Sequence, residues 1–140
     1  MTRKDGVLPA FPSNLDIKAG RIVGEDAQAF PTRSGRVRVV FRIAVPRSPS
    51  QPPKFDREGR PMPFDFFTVV CYGERFLPLL PRLRRGMKVL VVGWTQSRDL
   101  PDGRVVVETV AERIAVLDTT SLEAVPPAEA EGEGTRVEEE

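Results

Sequence analysis

The clearest alternation of apolar and polar side chains lies between residues 34 and 47, which read "SGRVRVVFRIAVPR". Successive side chains of a β-strand point to opposite faces. One face here is therefore apolar, and the opposite face carries three arginines. The apolar set is Val37, Val39, Phe41, Ile43 and Val45, and the other set is Arg36, Arg38, Val40, Arg42 and Ala44. This pattern predicts a strand with a core face and a basic face.

The segment 63–76, "PFDFFTVVCYGERF", also predicts a strand, but it has apolar side chains on both faces. Phe67, Val69 and Cys71 fall on the face that we assign to the core. The other face takes Phe64, Phe66, Thr68, Val70 and Tyr72. This second face is either buried against more protein or exposed as a surface for a flat apolar ligand.

Three further segments predict strands, at residues 14–24, 87–98 and 104–117. The last two are joined by a "PDG" sequence that is typical of a hairpin turn. Residues 48–63 contain five prolines and no periodicity, so they predict a long exposed loop. A loop of this length in a small domain is more often functional than incidental.

Residues 73–86 predict a short helix whose inward side carries Leu77, Leu80 and Leu83. Two interior prolines predict that the helix is broken or irregular, because proline removes an amide donor and clashes with the preceding turn. Five strands with one helix after the third predict an all-β, partly open antiparallel barrel of the OB-fold type. An SH3-like barrel has the same number of strands but no helix at this place.

Composition limits the chemistry that the chain can perform. There is no histidine, and the only cysteine, Cys71, is predicted to be buried. Zinc sites and Ser/His/Asp or Cys/His catalysis therefore lack their residues, and we expect no enzyme activity, cofactor or metal. There is also no apolar run of about 18 residues and no secretory signal. We expect a cytoplasmic protein without a membrane span.

The net charge of +1 hides an uneven distribution along the chain. Residues 1–117 have a net charge of +8, and residues 118–140 have a net charge of −7. A basic domain points to a polyanionic partner, although a soluble domain with a solvating tail is the plainer alternative. We divide the chain into an irregular arm (1–13), the barrel domain (14–117) and a disordered acidic tail (118–140).

Four segments, in order, resemble the bacterial single-stranded DNA-binding proteins. They are "SGRVRVVFRIAVPR", "DFFTVVCYGERF", "LRRGMKVLVVG" and "DGRVVVETVAERIAVL". The resemblance covers roughly residues 14–117. It implies an OB barrel that assembles as a homotetramer, with a dimer as the alternative, and that binds single-stranded DNA by stacking bases on aromatic rings. Phe66 and Tyr72 match positions of the family's stacking aromatics.

The chain departs from the family pattern at several positions. Ser48 to Ser50 and Leu100 stand where the family often has stacking aromatics, and Trp94 stands where a polar residue is more common. Trp94 is therefore a candidate replacement platform. The chain ends "TRVEEE", without the family's short hydrophobic end. This difference argues against recruitment of replication and repair proteins by the tail.

Binding of single strands without sequence preference requires aromatic faces for the bases and cations for the phosphates. The predicted site consists of Phe66, Tyr72, Trp94, Arg36, Arg38, Arg42, Arg98, Arg47, Lys54, Arg57 and Arg60. Phe64 is assigned to packing rather than to contact with DNA. Leu90 and Val92 are apolar positions on an outward strand face, and we assign them to an oligomer interface.

The resulting hypothesis is a non-enzymatic, nucleoid-associated protein that coats single-stranded DNA during replication, recombination or repair. Two alternatives remain. One is a specialised relative, such as a primosomal accessory protein or a plasmid- or phage-borne paralogue. The other is an OB-fold scaffold that binds only proteins.

Overall fold

The strands and the helix follow the order that the sequence predicts. Their bounds are Asp16–Pro31 (β1), Val37–Pro46 (β2), Phe64–Tyr72 (β3), Glu74–Arg82 (a 3₁₀ helix), Lys88–Asp99 (β4) and Val105–Asp118 (β5). This computed structural model describes residues 13–118. Most of the predicted arm and nearly all of the predicted acidic tail lie outside the described residues.

The five strands form a closed barrel in the order β1-β2-β3-β5-β4. The predicted OB-type, five-stranded fold with a helix after the third strand is therefore confirmed. Two details differ from the prediction: the barrel is closed, and β3 pairs with β5 in parallel at Val69–Thr109 and Val70–Val110. The parallel pair follows from direction: β4 is antiparallel to β1 and β5 is antiparallel to β4, so β5 runs the same way as β3.

The core contains the side chains that the alternation of β2 and β3 assigned to it. Val39, Phe41 and Ile43 of β2 meet Val69 and Cys71 of β3 in one buried cluster. Burial raises the pKa of the Cys71 thiol to about 12, so the thiol stays protonated at neutral pH. The prediction of a buried cysteine is confirmed.

The 3₁₀ helix packs over the barrel through the buried side chain of Phe76, and Leu83, directly after the helix, is buried as well. Leu77, which the sequence analysis placed inward, is exposed, and this prediction is wrong. The larger ring of Phe76 takes the inward position of the first turn instead. Pro78 and Pro81 lie inside the helix, which agrees with the short, irregular helix that the prolines predict.

A register shift between β4 and β5 lies at Val92/Gly93, where Glu112 is the extra residue on β5. A Cβ atom on Gly93 would lie 1.8 Å from the carbonyl oxygen of Val110. Only glycine fits this close approach. From Gly93 to Asp99 the pairing is regular, so alternate β4 side chains, including Trp94, Gln96 and Arg98, share one face.

Candidate nucleic-acid interface

Phe66 and Tyr72 project from β3 on the side opposite to the core. Neither ring belongs to the buried core cluster, and each is half-buried. Six residues of one strand separate them, which is about 20 Å. We call this outward surface of β2, β3, β5 and β4 the outer wall. The two rings mark its two ends.

The Phe66 end combines aromatic rings with cations. The Arg42 guanidinium carbon lies 5.9 Å from the centre of the Phe66 ring, and Lys54 Nζ lies 5.5 Å from it. The Phe64 ring is 6.5 Å from the Phe66 ring, centre to centre, at an interplanar angle of 40°. Cations at these distances interact favourably with a ring face. A base stacked on Phe66 would therefore lie close to two positive charges.

The 47–63 loop is tied to this end by one carboxylate. Asp65 accepts hydrogen bonds from Arg47 (2.5 Å), Lys54 (3.2 Å) and Gln51 (3.1 Å). We call these four residues the loop clasp. Burial by itself would raise the pKa of Asp65, but the hydrogen bonds from Gln51, Arg47 and Lys54 outweigh it and hold the pKa below its usual value. The Asp65 carboxyl group is therefore ionised at neutral pH.

The tip of the loop is a small turn with its own ion pair. Asp56 accepts a backbone hydrogen bond and a guanidinium hydrogen bond from Arg60, each 2.9 Å long. These bonds, the backbone one first, hold the pKa of Asp56 below its usual value. Phe55 is exposed at this tip. Arg57 is also exposed, and closure of Arg57 and Arg60 over the wall stays a prediction.

Two side chains, Arg36 and Gln96, donate hydrogen bonds to Tyr72. Arg36 donates to the Tyr72 carbonyl oxygen over 3.3 Å, and its guanidinium carbon lies 5.9 Å from the ring centre. On the other side, Gln96 Nε2 donates to the Tyr72 hydroxyl over 3.2 Å. The ring is thus fixed at its backbone and at its hydroxyl.

A buried carboxylate, Glu108, organises the neighbouring polar groups. It accepts hydrogen bonds from Arg38 (3.2 Å), Gln96 (3.1 Å) and Arg98 (2.8 Å). We call Glu108, Arg38, Gln96 and Arg98 the Glu108 network. Burial by itself would raise the pKa of Glu108, but the hydrogen bonds from Arg98 and Gln96 and the two positive charges outweigh it, so the pKa is lowered.

The structure places the predicted contact residue Arg38 beneath the surface. Only 1% of Arg38 is exposed. The expectation that it lies on an open basic face is therefore wrong, because its guanidinium turns along the sheet to Glu108. Its contact with a phosphate stays a prediction that would require the Glu108 network to open.

Trp94 lies on the same wall as the two rings. It pairs with Val110 across β4 and β5, and Val110 pairs with Val70 of β3. Val70 lies between Phe66 and Tyr72, so Trp94 stands two strands, roughly 10 Å, to the side of the line that joins the rings. With 40% of its surface exposed, Trp94 is available as a third platform. Its role stays a prediction.

Leu90 and Val92 also face outward, but on a different part of the barrel. Their strand neighbours on β1 are Ala19 and Ile17. Ile17 is exposed, as is Leu117 on β5. This apolar area suits a contact with a second copy, and the assignment as an oligomer interface stays a prediction.

Sequence reasoning missed the two carboxylates that organise the site. Glu108 is a single acid in the valine-rich run "VVVETV" and has the outward parity of that strand, which is the signal that could have found it. Asp65 stands directly before Phe66. Within residues 13–118, no group of three or more His, Cys, Asp or Glu side chains is arranged to hold a metal. No helix of that part is long and apolar enough to cross a membrane.

No protein-family model matches the chain, and no curated protein matches it. A solved structure described as the Plasmodium falciparum SSB complex with ssDNA is similar, with a TM-score of 0.59 and 19% sequence identity. The match covers 79% of this chain and 100% of that chain. The two proteins share a fold. At this level of identity the likeness shows the fold alone.

Proposed function

We propose that this protein binds single-stranded DNA without sequence preference on the outer wall. The observation that carries the proposal is the outward placement of Phe66 and Tyr72, each with a cation within 6 Å of its ring. Any base has a face that stacks on an aromatic ring, and stacking contributes about 1–3 kcal/mol per base. Cations beside the rings meet the phosphates that link those bases.

The structural likeness supports the same proposal. The SSB from Plasmodium falciparum was solved with ssDNA and has the same fold. An OB barrel commonly uses its second and third strands to bind oligonucleotides. In this chain, β2 carries Arg42, β3 carries Phe66 and Tyr72, and Arg36 directly precedes β2.

The predicted residues take different parts in this proposal. Phe66, Tyr72 and Trp94 stack bases, and Arg36 and Arg42 meet the adjacent phosphates. Arg47 and Lys54 reach phosphates when the loop clasp exchanges Asp65 for DNA. The remaining cations, Arg57, Arg60 and Arg98, extend the positive surface along the loop and along β4.

The wider role that we propose is protection of unwound DNA during replication, recombination and repair. The protein would act without catalysis in the cytoplasm, associated with the nucleoid. We propose a homotetramer whose subunits meet through the area that includes Leu90 and Val92. A pure protein-interaction scaffold, in contrast, would not bind dT oligomers at any salt concentration.

Titration with poly-dT at two salt concentrations tests the proposal. Trp94 is the only tryptophan, so its fluorescence reports on the wall directly. We expect tight binding that quenches Trp94 and weakens as salt rises, because each phosphate contact releases counterions. No binding at low salt would reject the proposal and favour the scaffold.

A further inference from the structure

The Glu108 network links the Tyr72 ring to the barrel through side chains of three strands. Arg38 comes from β2, Gln96 and Arg98 from β4, and Glu108 from β5. Gln96 Nε2 lies within hydrogen-bonding distance of both the Glu108 carboxylate and the Tyr72 hydroxyl, at 3.1 Å and 3.2 Å. The position of the Tyr72 ring thus depends on Gln96, and that of Gln96 depends on Glu108.

The register shows that the network lies along the wall and not at one point. Arg38 is opposite Tyr72, whereas Glu108 directly precedes Thr109, the partner of Val69. The backbone positions of Arg38 and Glu108 therefore lie about four residues apart along the direction of β3, roughly 13 Å, and the two side chains reach toward each other to form the ion pair. Val40 and Val70 lie between these two positions. Both valines face outward, and both are almost completely buried. Arg38 forms part of the floor on which the Tyr72 end of the wall is built.

Both buried charges of the network have an opposite charge beside them, since one carboxylate pairs with two guanidinium groups. Glu108 and Arg38 are 5% and 1% exposed, and a buried charge is tolerated only when it is paired. The lowered pKa of Glu108 agrees with a carboxylate that stays ionised in this setting. A carboxylate that is so enclosed does not meet DNA phosphates, so its effect on binding must pass through its neighbours.

We propose that Glu108 is a positioning residue for the stacking surface. It fixes Gln96, and Gln96 holds the hydroxyl of Tyr72, so that the ring keeps an outward-facing orientation that receives a base. This inference rests on the proposed binding of single-stranded DNA. It adds a role for an acidic residue on a basic surface, where charge alone predicts that an acid weakens binding.

The first test compares Glu108→Gln with Glu112→Gln, an exposed glutamate on the same strand, in dT titrations at several salt concentrations. We expect Glu108→Gln to weaken binding about fivefold to thirtyfold at every salt concentration, as expected for a partly lost stacking contact. The slope of affinity against salt stays unchanged, and Glu112→Gln stays near wild type. Tighter binding with a steeper salt slope would show that Glu108 is only a competitor of phosphate, which overturns the inference.

The second test repeats Glu108→Gln in a Tyr72→Ala background. If Glu108 acts through the ring, the substitution has no further effect once the ring is absent, because the two changes are coupled. An equal loss of affinity in both backgrounds would show a general structural role and would overturn the inference.

The third test needs no DNA. Tyr72 is the only tyrosine of the chain, so selective isotope labelling of tyrosine gives aromatic NMR resonances from this ring alone. We expect Glu108→Gln to move them toward the positions of a freely rotating, solvated tyrosine, and Glu112→Gln to leave them in place. Gln96→Met gives the same shift while leaving the ion pairs intact, and serves if Glu108→Gln does not fold.

Unchanged tyrosine resonances in Gln96→Met and Glu108→Gln would overturn the inference whether or not DNA binds. Conversely, if the wild-type protein binds no dT but the resonances respond, the proposed function fails while the positioning of Tyr72 by Glu108 stands. The two failures are thus distinguished.

Discussion

Phe66 and Tyr72 lie at opposite ends of one wall, and each ring has a carboxylate nearby that binds two basic side chains. At the Phe66 end, Asp65 binds Arg47 and Lys54, and the side chains are 23%, 15% and 37% exposed. At the Tyr72 end, Glu108 binds Arg38 and Arg98, and the side chains are 5%, 1% and 18% exposed. Each end thus has one carboxylate with two basic partners, but the ion pairs at the Phe66 end are more accessible to water than those at the Tyr72 end.

This difference in exposure sets what each end can do. Ion pairs that water reaches contribute about 0–1 kcal/mol and exchange easily, so phosphates can replace Asp65 as the partner of Lys54 and Arg47. Removing one partner of a buried pair costs about 3–5 kcal/mol, so the Glu108 network stays closed. We infer that the Phe66 end adapts to DNA and the Tyr72 end is preformed.

The largest expected effect is the loss of the buried ion pair between Arg38 and Glu108. Arg38→Met leaves the Glu108 charge short of one partner, and we expect the free energy of unfolding to fall by about 3 kcal/mol. Urea denaturation measures it, with Arg113→Met, an exposed arginine of β5, as the matched control at near-zero cost. A loss for Arg38→Met no larger than that of the control would show that the two ends are alike.

Removal of either ring tests whether both ends bind bases. Phe66→Ala and Tyr72→Ala should each weaken dT binding by about 1–3 kcal/mol, with the oligomer unchanged in sedimentation. Phe55→Ala removes an exposed ring at the loop tip and is the control for general loss of aromatic surface. If either wall variant dissociates into monomers instead, that ring belongs to a subunit interface.

The pH dependence of stability should distinguish Glu108 from Asp65. The pKa of Glu108 is lowered in the folded protein, so its stabilisation is complete above the unfolded-state pKa of about 4.3 and is lost as the pH falls through the lower folded value. The free energy of unfolding should therefore depend less on pH below about pH 4 in Glu108→Gln than in wild type. Asp65→Asn should flatten this dependence less, since its ion pairs are more exposed. Equal flattening would remove the distinction between the ends.

The fold was predictable from the sequence because β2 alternates strictly between apolar and polar residues, and because the alternation of side-chain direction along a strand extends the assignment of a core side to β3. The same alternation identified the outward rings. It did not predict that Arg38 is buried, because periodicity gives the direction of a side chain from the strand and not what covers it. The partner, Glu108, is 70 residues away along the chain, and the parallel β3–β5 pair that brings it close is a property of the closed barrel. Leu77 was misplaced because Phe76, one residue earlier, takes the inward position of the first turn, and the leucine spacing alone gives no sign of this exchange.

The smallest expected effect concerns the loop clasp. Asp65→Asn releases Arg47 and Lys54 from a competing carboxylate, so stability should fall by at most about 1 kcal/mol. Binding to dT should become tighter at low salt, and the slope of log affinity against log salt should steepen by about 0.7 for each cation that gains a phosphate. Asp102→Asn, which removes the exposed partner of Arg104 in the β4–β5 turn, controls for the change in net charge. Weaker binding with an unchanged slope would mean that Asp65 positions Phe66 as Glu108 is proposed to position Tyr72, and the adaptable end would then be as preformed as the other.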